Sequence, residues 1–302
     1  MRHSIKSTMF VGAFLFSLLM CFTSCEDILG TWDKPTPVTP TPTPTPEPEP
    51  EPTPTPGLLA GKFKINADGD QVQFSPGNLQ YNSSEATYKW RFAEHQYDYV
   101  GAWSTTTWVD LFGWGTWTGT ATNPINESTT DSQYTWDAAD FTQESKLADE
   151  SQRSYDWRTL TGGTGGEWEY LFNTRTTTTG IRYAKATVNG KVGVILLPDD
   201  WNASYYALTS TNTPGAAYTT NEITADDWTN KLETHGAVFL PAAGRRYGTT
   251  VSYVGTGGYY WSSTVNSTNW AFIVNFGSGG LTPAEDLNRL YGYSVRLVRD
   301  AE

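Results

Sequence analysis

The chain has 302 residues, 20 of them basic and 32 acidic, for a formal net charge of −12; this argues against a nucleic-acid-binding surface, whose footprint is a basic face. Charged residues make up 17% and aromatics 14%, with 13 Trp and 17 Tyr, the composition of a packed domain rather than of a disordered chain. Both cysteines, Cys21 and Cys25, lie close to the N-terminus, which excludes a disulfide framework, a thiolate metal site and a catalytic Cys in the body.

The first predicted element is a leader, residues 1–24. Arg2 and Lys6 precede an apolar run from Met9 to Phe22, short for a bilayer span and suited to a signal-peptide core. Phe22-Thr23-Ser24-Cys25 resembles a bacterial lipobox. The resemblance implies cleavage before Cys25 and acylation of that residue, and several acyl chains on one residue give stable membrane anchoring. Glu26 and Asp27 follow at once. Acidic residues there resemble a surface-export signal, so the expected location is the outer membrane, facing the cell exterior. Loss of Arg2 and Lys6 with the leader makes the mature chain more acidic, and one Cys remains in it. Its folded part must therefore be stabilised by packing.

After the acidic start at 25–34, residues 35–56 hold 11 of the 17 prolines in Thr-Pro and Glu-Pro alternation. No hydrophobic face exists there, so no core forms. Proline fixes φ and pushes its neighbours into extended geometry. At ~3.1 Å per residue this stretch is a semi-rigid stalk of roughly 70 Å. A PxxP docking peptide is the alternative reading of the same composition.

Residues 58–302 read as one α+β domain of short strands, turns and few helices. Lys62–Asn66 and Gln71–Ser75 are predicted as strands around an Asp68-Gly69 turn, and Thr87–Phe92 alternates with Tyr88, Trp90 and Phe92 on one face. Glu167–Asn173 carries Trp168, Leu171 and Phe172 at helical spacing. Lys185–Val188 and Lys191–Leu197 flank Asn189-Gly190, a strong hairpin signal. Ala225–Thr234 is predicted as a helix capped by Thr224 and ended at Gly236. Ala237–Leu240, Tyr259–Thr264, Trp270–Phe276 and Ser294–Val298 are predicted as strands, with polar loops at 277–283 and 284–292.

Several chemical motifs are weak. Gly162-Gly163-Thr164-Gly165-Gly166 lacks the Lys and the preceding strand of a phosphate loop and reads as a flexible loop before a helix. Asp68-Gly69-Asp70 lacks the rest of a calcium loop. His95 and His235 are 140 residues apart without clustered partners, and Ser262 has no nucleophile-elbow context. The acid pairs Asp199-Asp200 and Asp226-Asp227 sit at a predicted turn and helix start, where acids are expected. No enzyme activity, no cofactor and no metal is expected.

Larger motifs carry a family resemblance. Phe74-Ser75-Pro76-Gly77-Asn78-Leu79-Gln80-Tyr81, Trp90 to Gln96, Leu111 to Gly115, Trp157-Arg158-Thr159-Leu160, Glu167 to Phe172, Ile195 to Asp199 and Gly236 to Gly244 resemble a group of bacterial surface lipoproteins with a C-type-lectin-like domain. So do Tyr260-Trp261-Ser262-Ser263-Thr264 and Gly292-Tyr293-Ser294-Val295-Arg296-Leu297-Val298-Arg299. The resemblance spans nearly all of residues 62–300. It includes variable target proteins of diversity-generating retroelements, and implies a ligand-binding surface between the Trp-Ser-Ser motif and the closing strand. The implied contact residues are Asn266, Asn269, Trp270, Phe272, Ile273, Asn275, Gly277, Gly280, Thr282, Glu285, Asp286, Leu287, Asn288, Leu290, Tyr291 and Tyr293. Trp261, Ala271, Val274, Phe276, Pro283, Arg289, Gly292, Val295 and Leu297 would be scaffold. Leu287 and Leu290 would be exposed apolar contacts.

Residues 157–170 also resemble a segment of formylglycine-generating enzymes, but the cysteines of that chemistry are missing from the domain. The Glu-Pro-Asn, Gln-Pro-Asp and Trp-Asn-Asp signatures of calcium-dependent lectins are missing too. Trp103, Trp108, Trp114 and Trp117 are dense enough to stack on a glycan, although aromatics also dominate cores. The expectation is a membrane-anchored binding protein for a protein or glycan ligand. A structural surface component and a polysaccharide hydrolase built on an acid pair are the alternatives.

Overall fold

The computed structural model describes residues 57–116, 124, 129 and 141–302. These belong to the compact unit Pro52–Glu302, and the leader, Cys25, the stalk and Trp117 lie outside them. Short antiparallel strands dominate, with few helical turns, so the architecture is α+β and mostly β.

Strands β1 (Phe63–Lys64) and β2 (Gln71–Phe74) form around the predicted turn, where Gly69 takes a positive φ of 93°. β2 pairs on its other side with β14 (Val298–Asp300), which brings the end of the chain back to its start. β3 (Leu79–Tyr81) pairs with β4 (Trp90–Phe92). The predicted strand from Thr87 is thus shorter: Trp90 and Phe92 are buried, while Tyr88 is exposed with Arg153 over its ring.

Asn189 and Gly190 both have positive φ, 47° and 74°, the conformation of the two-residue turn whose twist matches its strands. They join β5 (Tyr183–Val188) to β6 (Lys191–Leu196). β8 (Val238–Pro241) lies beside β6, and β7 (Glu222–Ile223) runs parallel to β5, giving the order β7-β5-β6-β8. β9 (Arg245–Tyr247) and β10 (Thr250–Ser252) form a separate hairpin. A further three-stranded sheet is β11 (Gly258–Val265), β12 (Trp270–Gly277) and β13 (Gly280–Asn288), in that order.

Two expectations are corrected here. Residues 277–292 are not a pair of loops: Ser278-Gly279 forms a tight turn and 280–288 is the nine-residue β13. Ser294–Val298 is not a strand of its own. It threads extended through the interior, with Leu79 N–H donating to Val295 O (2.9 Å) and Ser75 N–H to Leu297 O (2.9 Å), before β14 begins at Val298.

The helical stretches are short. α1 (Glu167–Glu169) widens into a π-type turn, Tyr170–Thr174. Its entry is reciprocally capped: Thr161 Oγ1 accepts from Glu167 N, and Glu167 Oε2 accepts from Thr161 N. α2 (Ala225–Asp227) starts as expected, with Thr224 Oγ1 accepting from Asp227 N (3.1 Å), widens over Trp228–Leu232, and ends at left-handed Gly236. The glycine-rich stretch before α1 is packed against β11 and β12. A Cβ on Gly162 would fall 2.4 Å from Ser262 Oγ and 2.6 Å from Phe272 Cβ.

The tryptophans explain how so many irregular segments hold together. Indole N–H groups donate from Trp114 to Ser262 O, from Trp157 to Gln152 O and from Trp261 to Phe112 O. Each satisfies a buried donor on the backbone of a neighbouring segment while filling the core.

Candidate ligand-binding face

The sheet β11-β12-β13 has a core on each side. Trp261, Ala271 and Ile273 belong to one cluster with Phe112, Trp114 and Tyr293; Tyr260, Val274 and Phe276 belong to another with Phe74 and Trp168. This follows from strand alternation, since Trp261 pairs with Ile273 and Tyr260 with Val274. Predicted scaffold residues Trp261, Ala271, Val274, Phe276, Pro283, Arg289, Gly292, Val295 and Leu297 are all buried.

The sixteen predicted contact residues do not form one surface. Ile273 and Tyr293 are fully buried and Leu290 is 9% exposed, so none of these three is an exposed contact; Ile273 and Tyr293 pack into the same core. Leu287 is half-buried against the same core. Trp270, at 41% exposed, lies opposite Asn288, and Asn266 Nδ2 donates to Asp286 Oδ2 (2.7 Å) at the same end of the hairpin. Phe272 packs on Gly162 and Gly163. Asn269 bonds Arg289 through its backbone carbonyl. Gly277, Gly280 and Thr282 lie at the Ser278-Gly279 turn and the start of β13. Asn275, Glu285 and Tyr291 lie toward a different feature, which the sequence reading missed.

That feature is Arg245 among tyrosines. Its guanidinium carbon lies 4.8 Å from the Tyr253 ring centroid, 5.0 Å from Tyr291 and 5.8 Å from Tyr259. Tyr259 stacks on Tyr293 at 5.3 Å, Tyr293 on Tyr291 at 5.9 Å, and Tyr247 meets Tyr291 at 5.3 Å. Tyr293 is the buried base of the group, while Tyr253 (52%) and Tyr247 (44%) are exposed. The Tyr293 hydroxyl lies beside Arg245 without reaching hydrogen-bond geometry. Burial pushes the Tyr293 and Tyr259 phenols above their usual range, and the Arg245 charge opposes that rise at both. Asn275 stands opposite Tyr259 in the sheet and donates to Glu285 Oε2 (2.7 Å).

The backbone fixes these groups. β9 places Arg245 and Tyr247 on the same side of the hairpin, two residues apart. Between them, buried Arg246 points the other way, donating from Nε to Leu111 O and from Nη1 to Gly248 O and lying over the Trp103 ring at 4.4 Å. Tyr253 has a φ of 61°, a left-handed conformation costly for a bulky side chain and found where the surroundings impose it. Here Thr256 N–H and Gly257 N–H both donate to Tyr253 O, and Gly255 N–H donates to Ala242 O. Gly244 must be glycine: its φ is 82°, and a Cβ there would fall 2.4 Å from Ser252 O.

The other candidate groups lie elsewhere. His95 pairs with Asp98 (3.0 Å) and stacks on Tyr97; His235 stacks on Tyr205 at 3.6 Å. Ser262 Oγ donates to Phe272 O. Asp199 pairs with buried Arg175 at 2.9 Å. A cavity of about 540 Å³ beside β1 and β2 is lined by Asp70, Arg158, Glu167 and Asp300, among others, and there Arg158 bonds both Glu167 oxygens and Asp300. Among the described residues no cluster of three His, Cys, Asp or Glu is placed to hold a metal ion, and no helix is long and apolar enough to cross a membrane.

A family described as a domain of unknown function, DUF8237, matches residues 196–298. That stretch runs from the end of β6 to the start of β14 and contains Arg245, the five tyrosines, Asn275 and Glu285. No curated protein and no solved structure matches the chain.

Proposed function

We propose that this chain is a surface-anchored lipoprotein that binds a protein or glycan ligand, without chemistry, through the face formed by Arg245, Tyr247, Tyr253, Tyr259 and Tyr291. The supporting observation is the convergence of three exposed or half-buried tyrosines, Tyr253, Tyr259 and Tyr291, on one arginine, with exposed Tyr247 against Tyr291 and Tyr253 held in a left-handed conformation. Tyr and Arg are the side chains that most often anchor interfaces, because they bury large area with few rotatable bonds. Asn275, Glu285 and Tyr291, which the family resemblance implies as contacts, border this face and support the C-type-lectin-like reading of residues 58–302. The leader, Cys25 and the proline-rich stalk support an outer-membrane anchor facing outward, which requires no cofactor or metal.

The test uses the full chain with Tyr247→Ser and Tyr253→Ser, both exposed and cheap to replace. Wild type and double variant are screened against a peptide library and a glycan array. Ligands bound by wild type and lost by the variant support the reading; ligands bound equally by both move the site elsewhere. Cys25→Ala should abolish labelling by an alkynyl fatty acid and release the protein from membranes.

A further inference from the structure

We infer that the ligand presented to this face is an acidic segment of a partner protein, whose Asp or Glu carboxylate pairs with Arg245; the inference rests on the binding-face reading above. Arg245 is a half-buried cation, and among the described residues no carboxylate forms an ion pair with it. The other stacked or buried guanidiniums have evident polar partners: Arg175 bonds Asp199 and two carbonyls, Arg158 bonds Glu167 and Asp300, and Arg296 bonds Gln96 and Phe239 O. Arg245 instead has three tyrosine rings within 5.8 Å of its guanidinium carbon. A guanidinium braced in this way loses little conformational freedom on binding, and its N–H fork matches a carboxylate.

The ring geometry favours a peptide over a sugar. A sugar needs an open aromatic face. Tyr259, Tyr293 and Tyr291 lie nearly parallel, at 17° and 5°, with their faces turned to one another, and Arg245 covers Tyr253, Tyr259 and Tyr291. At least one face of each of Tyr253, Tyr259, Tyr291 and Tyr293 is therefore taken up within the protein. The 540 Å³ cavity lies beside β1 and β2 and includes none of these residues. An aromatic surface around one charge is the form of a protein-interface anchor, with a carboxylate supplying the complementary charge.

The experiment selects a random peptide library on the full wild-type chain. Selected peptides should carry Asp or Glu at a fixed position. Changing that acid to its amide, or Arg245→Gln in the protein, should each weaken binding by roughly 10- to 100-fold, the range of a charge-assisted pair. Both changes together should weaken it no further than one. Arg245→Lys, which keeps the charge without the fork, should fall between; it serves as the second variant if Arg245→Gln lowers the melting temperature, and the peptide-side change needs no protein variant. The inference is overturned if no peptide is selected, if no acidic position emerges, or if Arg245→Gln changes binding by less than about twofold. An oligogalacturonate bound in place of any peptide, and lost in Arg245→Gln, would assign the cation to an acidic glycan and also overturn it. If Tyr247→Ser and Tyr253→Ser abolish binding while Arg245→Gln does not, the face stands and the acidic ligand falls. If none of the three matters, the binding-face reading fails as well.

Discussion

Asp110 gives a pH dependence whose sign and size follow from its surroundings. It is 1% exposed, its Oδ2 accepts from Val100 N–H at 2.7 Å, and its Oδ1 has no partner among the described residues. Burial raises its pKa from the usual 3.8 to about 6, against the opposing effect of the Val100 and Asp110 backbone N–H groups. Because the folded pKa lies above the unfolded one, the folded state holds the proton more tightly, so stability from this group is greatest at low pH and is lost as pH rises through about 6. A shift of roughly two units corresponds to about 3 kcal/mol at full titration. Asp110→Asn keeps an oxygen for Val100 and removes the titration. Its Nδ2 donors, facing the place where Oδ1 now lacks a partner, cost about 1–3 kcal/mol at every pH. The informative quantity is therefore the difference between wild type and Asp110→Asn, in which the other carboxylates cancel. Wild type should lose about 2–3 kcal/mol relative to the variant between pH 4 and pH 7.5. Urea melts of both proteins across that range measure this. Parallel stability curves, or a wild type that gains on the variant as pH rises, would refute the argument.

Gln96 ties three segments: its Oε1 accepts from Arg296 Nη2 (2.6 Å) and Phe239 N–H (2.9 Å), and its Nε2 donates to Glu233 Oε1 (2.9 Å) and Ala237 O (3.1 Å). Arg296 is wholly buried, and burial lowers its pKa to about 10. Gln96→Ala should cost about 3 kcal/mol or more in urea unfolding, since it strips an acceptor from a buried cation and a buried N–H; a loss under about 1 kcal/mol, the usual net worth of one hydrogen bond, would mean that water replaces the amide. Ile273 and Asn275 separate core from face on one strand: Ile273→Ala should cost about 2–5 kcal/mol, whereas Asn275→Ala should stay within about 0.5 kcal/mol. Equal losses at the two positions would contradict the placement of Asn275 outside the core.

What was legible in the sequence was local. Asn189-Gly190 declared its hairpin because both residues tolerate positive φ. Thr224 declared its cap, and Gly236 the helix end, through chemistry that needs no distant partner. β13 was hidden because Gly279-Gly280 and Pro283 are breakers in a local reading, and pairing along β12 overrides them. The candidate site was half legible. Asn275, Glu285 and Tyr291 were named through their family resemblance, but Arg245 and Tyr253 lie some forty residues before Tyr291 and meet it through the fold. Tyr in a left-handed turn has no sequence signature, since that conformation normally selects Gly or Asn.

The misplacement of Ile273 and Tyr293 has a deeper cause. Alternation separates core from surface when a sheet has one wet face. In β12 both alternations are buried: Ala271 and Ile273 enter one core, Val274 and Phe276 the other. Exposure then depends on position along the strand and on where each covering layer ends. Over the first face the cover ends at Tyr293, and Tyr259, Tyr291 and Arg245 stand at that rim. On the other face it ends beyond Phe272, against Gly162 and Gly163, which leaves Trp270 exposed. A binding face at such a rim can change its side chains at Asn275 and Glu285 without opening either core, because neither belongs to the packed clusters.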